Sequence, residues 1–241
     1  MYLAKLTMIA ISFTIMLFAS LFANILPNNG HTLSGISDRY TILVFPSKYV
    51  YIILVVIYMS ILYWIYKQWQ MVRSNSLKIT QLQAISFTLS MVFHIIWIYY
   101  WHQESFIISL IALLLSAGFL AIMYLTMPVS NTWQNRLPIS LLLSWVIVTI
   151  MLNIAIIIVY YSWSGMGLSQ PLWAVILLTV FVAVALHLRF HHHDPAVPFV
   201  LIWAYIGVAF HNNFEELLVT TAALFLSGVL AVGIIFMRKS N

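Results

Sequence analysis

Apolar positions in this chain come in long unbroken runs, with no strand-like alternation. Eight runs meet or nearly meet the roughly 20 residues that a helix needs to cross about 30 Å of hydrocarbon. They are Leu6–Leu26, Ser47–Tyr66, Gln81–Trp101, Ser105–Met127, Pro138–Tyr161, Pro171–Leu188, Val197–Phe210 and Leu217–Met237. The seventh has the shortest apolar core, so it reads either as a full span with polar ends or as a re-entrant segment. The runs show neither period-two alternation nor heptads, which argues against a β-barrel. The first exceeds the roughly 7–15 apolar residues of a cleavable signal and no A-x-A-like site follows, so it reads as a retained helix. The predicted fold is an all-α integral membrane protein, a bundle of about eight transmembrane helices.

Composition strengthens this reading. Hydrophobic residues make up 63% of the chain and charged residues 6%, whereas a soluble domain needs roughly a quarter charged residues to face water. The net charge of +5 forms no stripe that would follow phosphates, so nucleic acid is not a predicted partner. The absence of cysteine removes disulfides and thiolate metal sites. Basic residues segregate as the positive-inside rule requires. Lys5, Lys67, Arg73, Lys78, Arg136, Arg189, Arg238 and Lys239 fall on one side of an eight-span topology. Arg39 and Lys48 fall on the other, with Asp38, Glu104, Glu215 and Glu216. This places both termini on the cytoplasmic side; seven spans would put Arg238 and Lys239 outside.

Several positions depart from a lipid-like pattern. Residues 27–45 are polar and turn-rich, beginning Pro27-Asn28-Asn29-Gly30. They read as a solvated outer loop or as a lid over a cavity, the lid residues being Ile36, Ser37, Asp38, Arg39 and Tyr40. His94 and Asn153 lie near mid-membrane, where polar groups either fix helix packing or face a ligand. Trp97, Trp145 and Trp203 lie within spans, where an indole offers a flat apolar face and an N–H that needs a partner. The tract His187-Leu188-Arg189-Phe190-His191-His192-His193-Asp194 puts His187 and His191 at helical i, i+4 spacing, as a shared divalent metal requires, although Pro195 limits how far a helix could run. Interfacial histidines also occur without any metal. No nucleotide loop, nucleophile elbow or zincin motif is present, so catalysis is not predicted.

The order of features in the first five spans resembles the TspO/MBR family of tryptophan-rich sensory or translocator proteins. Phe45-Pro46-Ser47-Lys48-Tyr49-Val50-Tyr51 and Ile57-Tyr58 resemble the family's P-x-x-Y-x-F-x-I-W-x-x-I-Y run. Phe93-His94-Ile95-Ile96-Trp97 resembles its L-N-x-x-W, and Trp145 followed by Leu152-Asn153 has the spacing of its W-x6-L-N. Segments Asn24 to Gly30, Ile36 to Arg39, Trp101-His102 and Trp203 to Gly207 are similar to motifs of longer bacterial relatives with extra C-terminal helices. Leu54 stands where the family has Trp, and His94 where it has Asn. The resemblance implies a five-helix bundle over 1–163, followed by three additional helices over 164–241.

It also implies a binding or sensory function: a cavity for a flat apolar ligand such as a porphyrin or sterol-like lipid. Tyr58, His94, Trp97, Trp145 and Asn153 would line it. The alternative is a small transporter or permease for a hydrophobic substrate. No cofactor is implied beyond porphyrin or haem as ligand, although porphyrin breakdown associated with such proteins leaves a weak ligand-modifying activity open. The implied partners are the lipid bilayer, a small hydrophobic ligand and, as one option, a second copy of the chain. The implied location is a bacterial cytoplasmic membrane.

Overall fold

A computed structural model of the chain describes all residues except 1, 26–38, 74–78, 129–131, 133, 134, 164, 213, 214 and 238–241. The lid residues Ile36, Ser37 and Asp38, and the charged residues Lys78, Arg238 and Lys239, therefore lie outside the described residues. The described residues form eight α-helices: α1 Tyr2–Ile25, α2 Ile53–Arg73, α3 Gln81–His102, α4 Phe106–Thr126, α5 Leu137–Tyr160, α6 Gln170–His192, α7 Ala196–His211 and α8 Leu217–Phe236. Short 3₁₀ turns occupy Lys48–Ile52 and Gly165–Gly167. Among the described residues, seven helices are long and apolar enough to cross a membrane. The eighth, α7, has 16 residues and spans about 24 Å, short of a typical hydrocarbon core. The chain is a multi-pass all-α membrane protein, and its shortest predicted span is its shortest helix.

The outer faces explain the composition. On α1, Ile11, Ile15, Phe18 and Phe22 are exposed, at the i, i+4, i+7, i+11 spacing of one helix face. On α2 the exposed residues are Val55, Val56, Met59, Leu62, Tyr63 and Tyr66. Stripes of this kind would be unstable against water and are the normal surface against lipid.

The contacts divide the chain into two compact units: residues 1–38 with 54–143, and residues 39–53 with 144–241. In the first, α1 and α4 each pack on α3. Small residues let α3 and α4 approach closely, and two fully buried serines clamp them. Ser90 Oγ donates to the Ser116 carbonyl and Ser116 Oγ to the Ser90 carbonyl, both at 2.9 Å. A capping box starts α3: Thr80 Oγ1 accepts from the Gln83 N–H at 3.1 Å and Gln83 Oε1 accepts from the Thr80 N–H at 2.9 Å. Gln83 Nε2 then donates to the Thr126 carbonyl at the end of α4, at 3.0 Å. At the same end, Lys5 Nζ donates to the Ile79 carbonyl at 3.2 Å, and the buried Arg136 guanidinium lies 4.7 Å from the Tyr124 ring centre.

In the second unit, α6, α7 and α8 pack on one another, and the Lys48–Ile52 turn packs on α7. Tyr205 of α7 donates to the Leu178 carbonyl of α6 at 2.6 Å. The buried Arg189 donates to the Ile234 carbonyl at 2.8 Å, filling one of the unpaired acceptors at the end of α8. Asp194 Oδ1 accepts from the Ala196 N–H at 2.9 Å and so starts α7. Three polar contacts tie the 42–52 segment to α7. The Ser47 N–H donates to the Gly207 carbonyl at 3.0 Å, Trp203 Nε1 to the Val50 carbonyl at 3.0 Å, and Asn212 Nδ2 to the Leu43 carbonyl at 2.9 Å.

Gly207 makes this approach feasible. A Cβ there would lie inside contact distance of Val50 Cγ2 and 3.0 Å from Pro46 Cβ. Gly207→Ala is therefore expected to destabilise the fold by about 1–3 kcal/mol through overpacking. Gly118→Ala on α4, where a Cβ meets nothing within 4 Å, is expected to be neutral or slightly stabilising. Thermal unfolding of both variants in one detergent checks the contrast; equal melting temperatures would contradict it.

Candidate ligand-binding site

The predicted site residues fall in both units. Tyr58, His94 and Trp97 belong to the first; Trp145 and Asn153 belong to the second.

In the first unit the i, i+3 spacing on α3 brings His94 and Trp97 together, with ring centres 5.0 Å apart. The row continues through Trp101, 5.8 Å from Trp97, to Phe106 at the start of α4, 5.2 Å from Trp101. All four side chains are buried. Tyr58 stands in a different aromatic group. Its ring meets Phe13 edge-on at 6.1 Å, and its hydroxyl lies 3.1 Å from Ser20 Oγ. Phe13 leads on to Phe87, and Phe87 to Trp64. An apolar concavity of about 500 Å³ lies on the outer face of α2, lined by Val55, Val56, Met59, Ser60 and Tyr63.

Trp101 is followed in the chain by a polar group that sequence reasoning passed over as a site residue. His102, the last residue of α3, is buried, and its Nδ1 lies 2.9 Å from the Ile98 carbonyl. A carbonyl oxygen can only accept, so Nδ1 carries the hydrogen. With Nδ1 donating, Nε2 is the atom left to accept in an uncharged ring, and among the described residues it is buried without a hydrogen-bond partner. Leaving such an atom unpaired costs about 1–3 kcal/mol. The Trp101-His102 pair was visible in the sequence as a motif; its tautomer depends on local geometry that no motif encodes.

In the second unit Trp145 is buried on α5, and the Tyr51 ring meets it edge-on at 5.8 Å. Asn153 is fully buried two turns further along the same helix. Of the predicted lid, Arg39 and Tyr40 are described: the guanidinium lies 6.0 Å from the Tyr40 ring centre, and Tyr40 meets Tyr160 of α5 edge-on at 5.8 Å. Gln170 Nε2 donates to the Thr41 carbonyl at 2.7 Å, so the end of the loop is tied to the start of α6. A cavity lined by Ile42, Val44, Ala155, Trp173 and Leu177 among others encloses about 20 Å³. That is room for about one water and far too little for a flat polycyclic ligand. Trp203 spends its N–H on the Val50 carbonyl, and its ring packs edge-on against Tyr49 at 5.5 Å.

The histidine tract stays helical further than its proline suggests. Helix α6 runs through His192, and His193 ends it in the left-handed conformation, φ 51°. Asp194 is turned to cap α7. Among the described residues no three His, Cys, Asp or Glu side chains are grouped so as to hold a metal ion.

A family model described as TSPO-like protein matches residues 6–236, all eight helices included. The chain belongs to the TSPO-like protein family. The match runs through α6, α7 and α8, so these helices belong to the family pattern as much as the first five do. No curated protein and no solved structure matches the chain.

The two indole and phenol roles separate by their partners. Trp203→Phe keeps a ring against Tyr49 but removes the donor to the Val50 carbonyl, for an expected loss of about 1–3 kcal/mol. Tyr58→Phe removes one hydroxyl contact with Ser20 and is expected to cost about 0.6 kcal/mol, the average for hydrogen bonds between membrane helices. Chemical unfolding of the two variants ranks them; a larger loss for Tyr58→Phe would contradict the assignment.

Proposed function

We propose that this TSPO-like protein is a membrane-embedded binding or sensory protein that takes up a flat apolar ligand, a porphyrin or sterol-like lipid, along the aromatic row of α3. The observation that carries this reading is the row His94–Trp97–Trp101–Phe106, with the buried acceptor of His102, unpartnered among the described residues, next to Trp101 in the chain. Indole faces stack on planar rings, and few but well-placed polar groups fix orientation in otherwise apolar sites. His102 Nε2 would accept from an N–H or O–H of the ligand, recovering the cost of its burial. The row is closed in this conformation, so uptake requires its side chains to move. Tryptophan emission reports that movement directly.

The family resemblance supports a bacterial cytoplasmic membrane, and the charge pattern supports an N-terminus inside: Lys5 and Arg136 share one end of the first unit, as an even number of intervening spans requires. Binding, not catalysis, is the activity proposed.

Titration of the purified protein with protoporphyrin is expected to quench tryptophan emission saturably. Trp97→Ala is expected to reduce the quenching amplitude, and His102→Ala to weaken affinity about tenfold, the equivalent of one lost hydrogen bond. Trp145→Ala and Asn153→Ala, titrated separately, report on the second unit by itself. Unchanged emission in the wild type, or identical curves for wild type and Trp97→Ala, would overturn the proposal.

A further inference from the structure

The histidine tract carries an observation that ligand binding along α3 does not use. His187 and His191 lie one turn apart near the C-terminal end of α6, and both are exposed. Their ring centres are 4.4 Å apart. Among the described residues neither imidazole has a hydrogen-bond partner; His191 has an edge contact with Phe190 at 5.0 Å. Because α6 remains helical to His192, the backbone holds the two rings side by side without further ordering.

That separation is chemically informative. A first-row ion sits about 2.0–2.1 Å from an imidazole nitrogen, and therefore roughly 3.2 Å from the ring centre. Two imidazoles bound at a right angle then have centres about 4.5 Å apart, and two bound tetrahedrally about 5.2 Å apart. The observed 4.4 Å matches the right-angle arrangement of tetragonal and octahedral ions. The unpaired carbonyls at the end of a helix add a partial negative charge that favours a cation. Arg189, the nearby fixed positive charge on this helix, is buried and directs its guanidinium to the carbonyls at the end of α8. Two protein ligands leave the other positions to water, so the site is open and exchangeable.

We propose that His187 and His191 form a two-imidazole chelate for a divalent first-row transition ion at the end of α6. The site is separate from the aromatic row and does not depend on it. Copper(II) is the probe of choice, because it tops the affinity order of these ions and prefers right-angle ligation. The experiment is a titration of untagged, full-length protein with copper(II), followed by electron paramagnetic resonance and calorimetry. The expected wild-type result is one site whose equatorial nitrogen couplings fit two imidazoles. Each of His187→Ala and His191→Ala is expected to lose one nitrogen and at least an order of magnitude in affinity; His192→Ala and His193→Ala are expected to keep both. A rise in wild-type melting temperature with copper(II), absent in His187→Gln/His191→Gln, is the matching thermodynamic readout. Equal binding by the wild type and the His187→Ala/His191→Ala variant would overturn the proposal. So would loss of the signal on His192→Ala or His193→Ala with retention in the His187 and His191 variants.

Discussion

Inside a bilayer a polar group has no water to fall back on, and its partner must come from the protein. The helices satisfy their own backbones, but every serine, asparagine, histidine and arginine drawn inward must find a spare acceptor or donor. The chain solves this largely with backbone carbonyls. Ser90 and Ser116 exchange hydroxyl bonds with each other's carbonyls, Gln83 reaches the end of α4, Tyr205 reaches α6, and Arg189 reaches the end of α8. Each bond contributes modestly, because the separated helices would also find partners. Together they fix which helix faces meet, which lipid-compatible side chains alone could not do.

The same constraint accounts for the short helix α7. Sixteen residues do not span the hydrocarbon unaided, yet much of its surface is buried, Ala196, Val200, Leu201, Ala204, Tyr205 and Val208 included. The Lys48–Ile52 turn lies against it with Val50 buried, while Lys48, Tyr49 and Ile52 stay exposed. Gly207 supplies the space, Trp203 supplies a donor for the Val50 carbonyl, and Asn212 supplies one for Leu43. The Trp203-to-Gly207 motif is thus a packing device: an indole N–H and a missing side chain one helical turn apart.

Much of this fold is legible in the sequence because membrane helices are dictated by apolar length, and seven of eight runs carry that signal in full. Details set by tertiary contact are not. The run from Ser47 reads as uniform helix, but its first turn is 3₁₀ at Lys48–Ile52, where it meets Gly207. Pro195 suggests an early end to the helix before it, yet α6 continues to His192 and a left-handed His193 makes the turn. Within the candidate site, the His94–Trp97 pairing follows from helical spacing. Trp203 offers the same aromatic signal but turns out to be spent on the Val50 carbonyl. The buried state of His102 is invisible in sequence, because it is the Nδ1 contact with Ile98 that selects the tautomer and leaves Nε2 without a partner among the described residues.

Among the described residues His102 Nε2 is a buried acceptor without a partner, as Trp64 Nε1 and Thr88 Oγ1 are unpartnered in the same unit, and it is set apart by following Trp101 of the four-ring row in the chain. A ligand with a flat apolar body and a donor at its edge would complete it. The main rival location is the open concavity on α2 lined by Val55, Val56, Met59, Ser60 and Tyr63, which faces outward where acyl chains lie. Photo-crosslinking separates the two most directly: the protein in lipid nanodiscs is irradiated with bound protoporphyrin, and the modified residues are mapped by mass spectrometry. The account predicts modification between His94 and Phe106, competed by excess unlabelled ligand. Modification confined to residues 55–63, or spread over all exposed faces without competition, would contradict it.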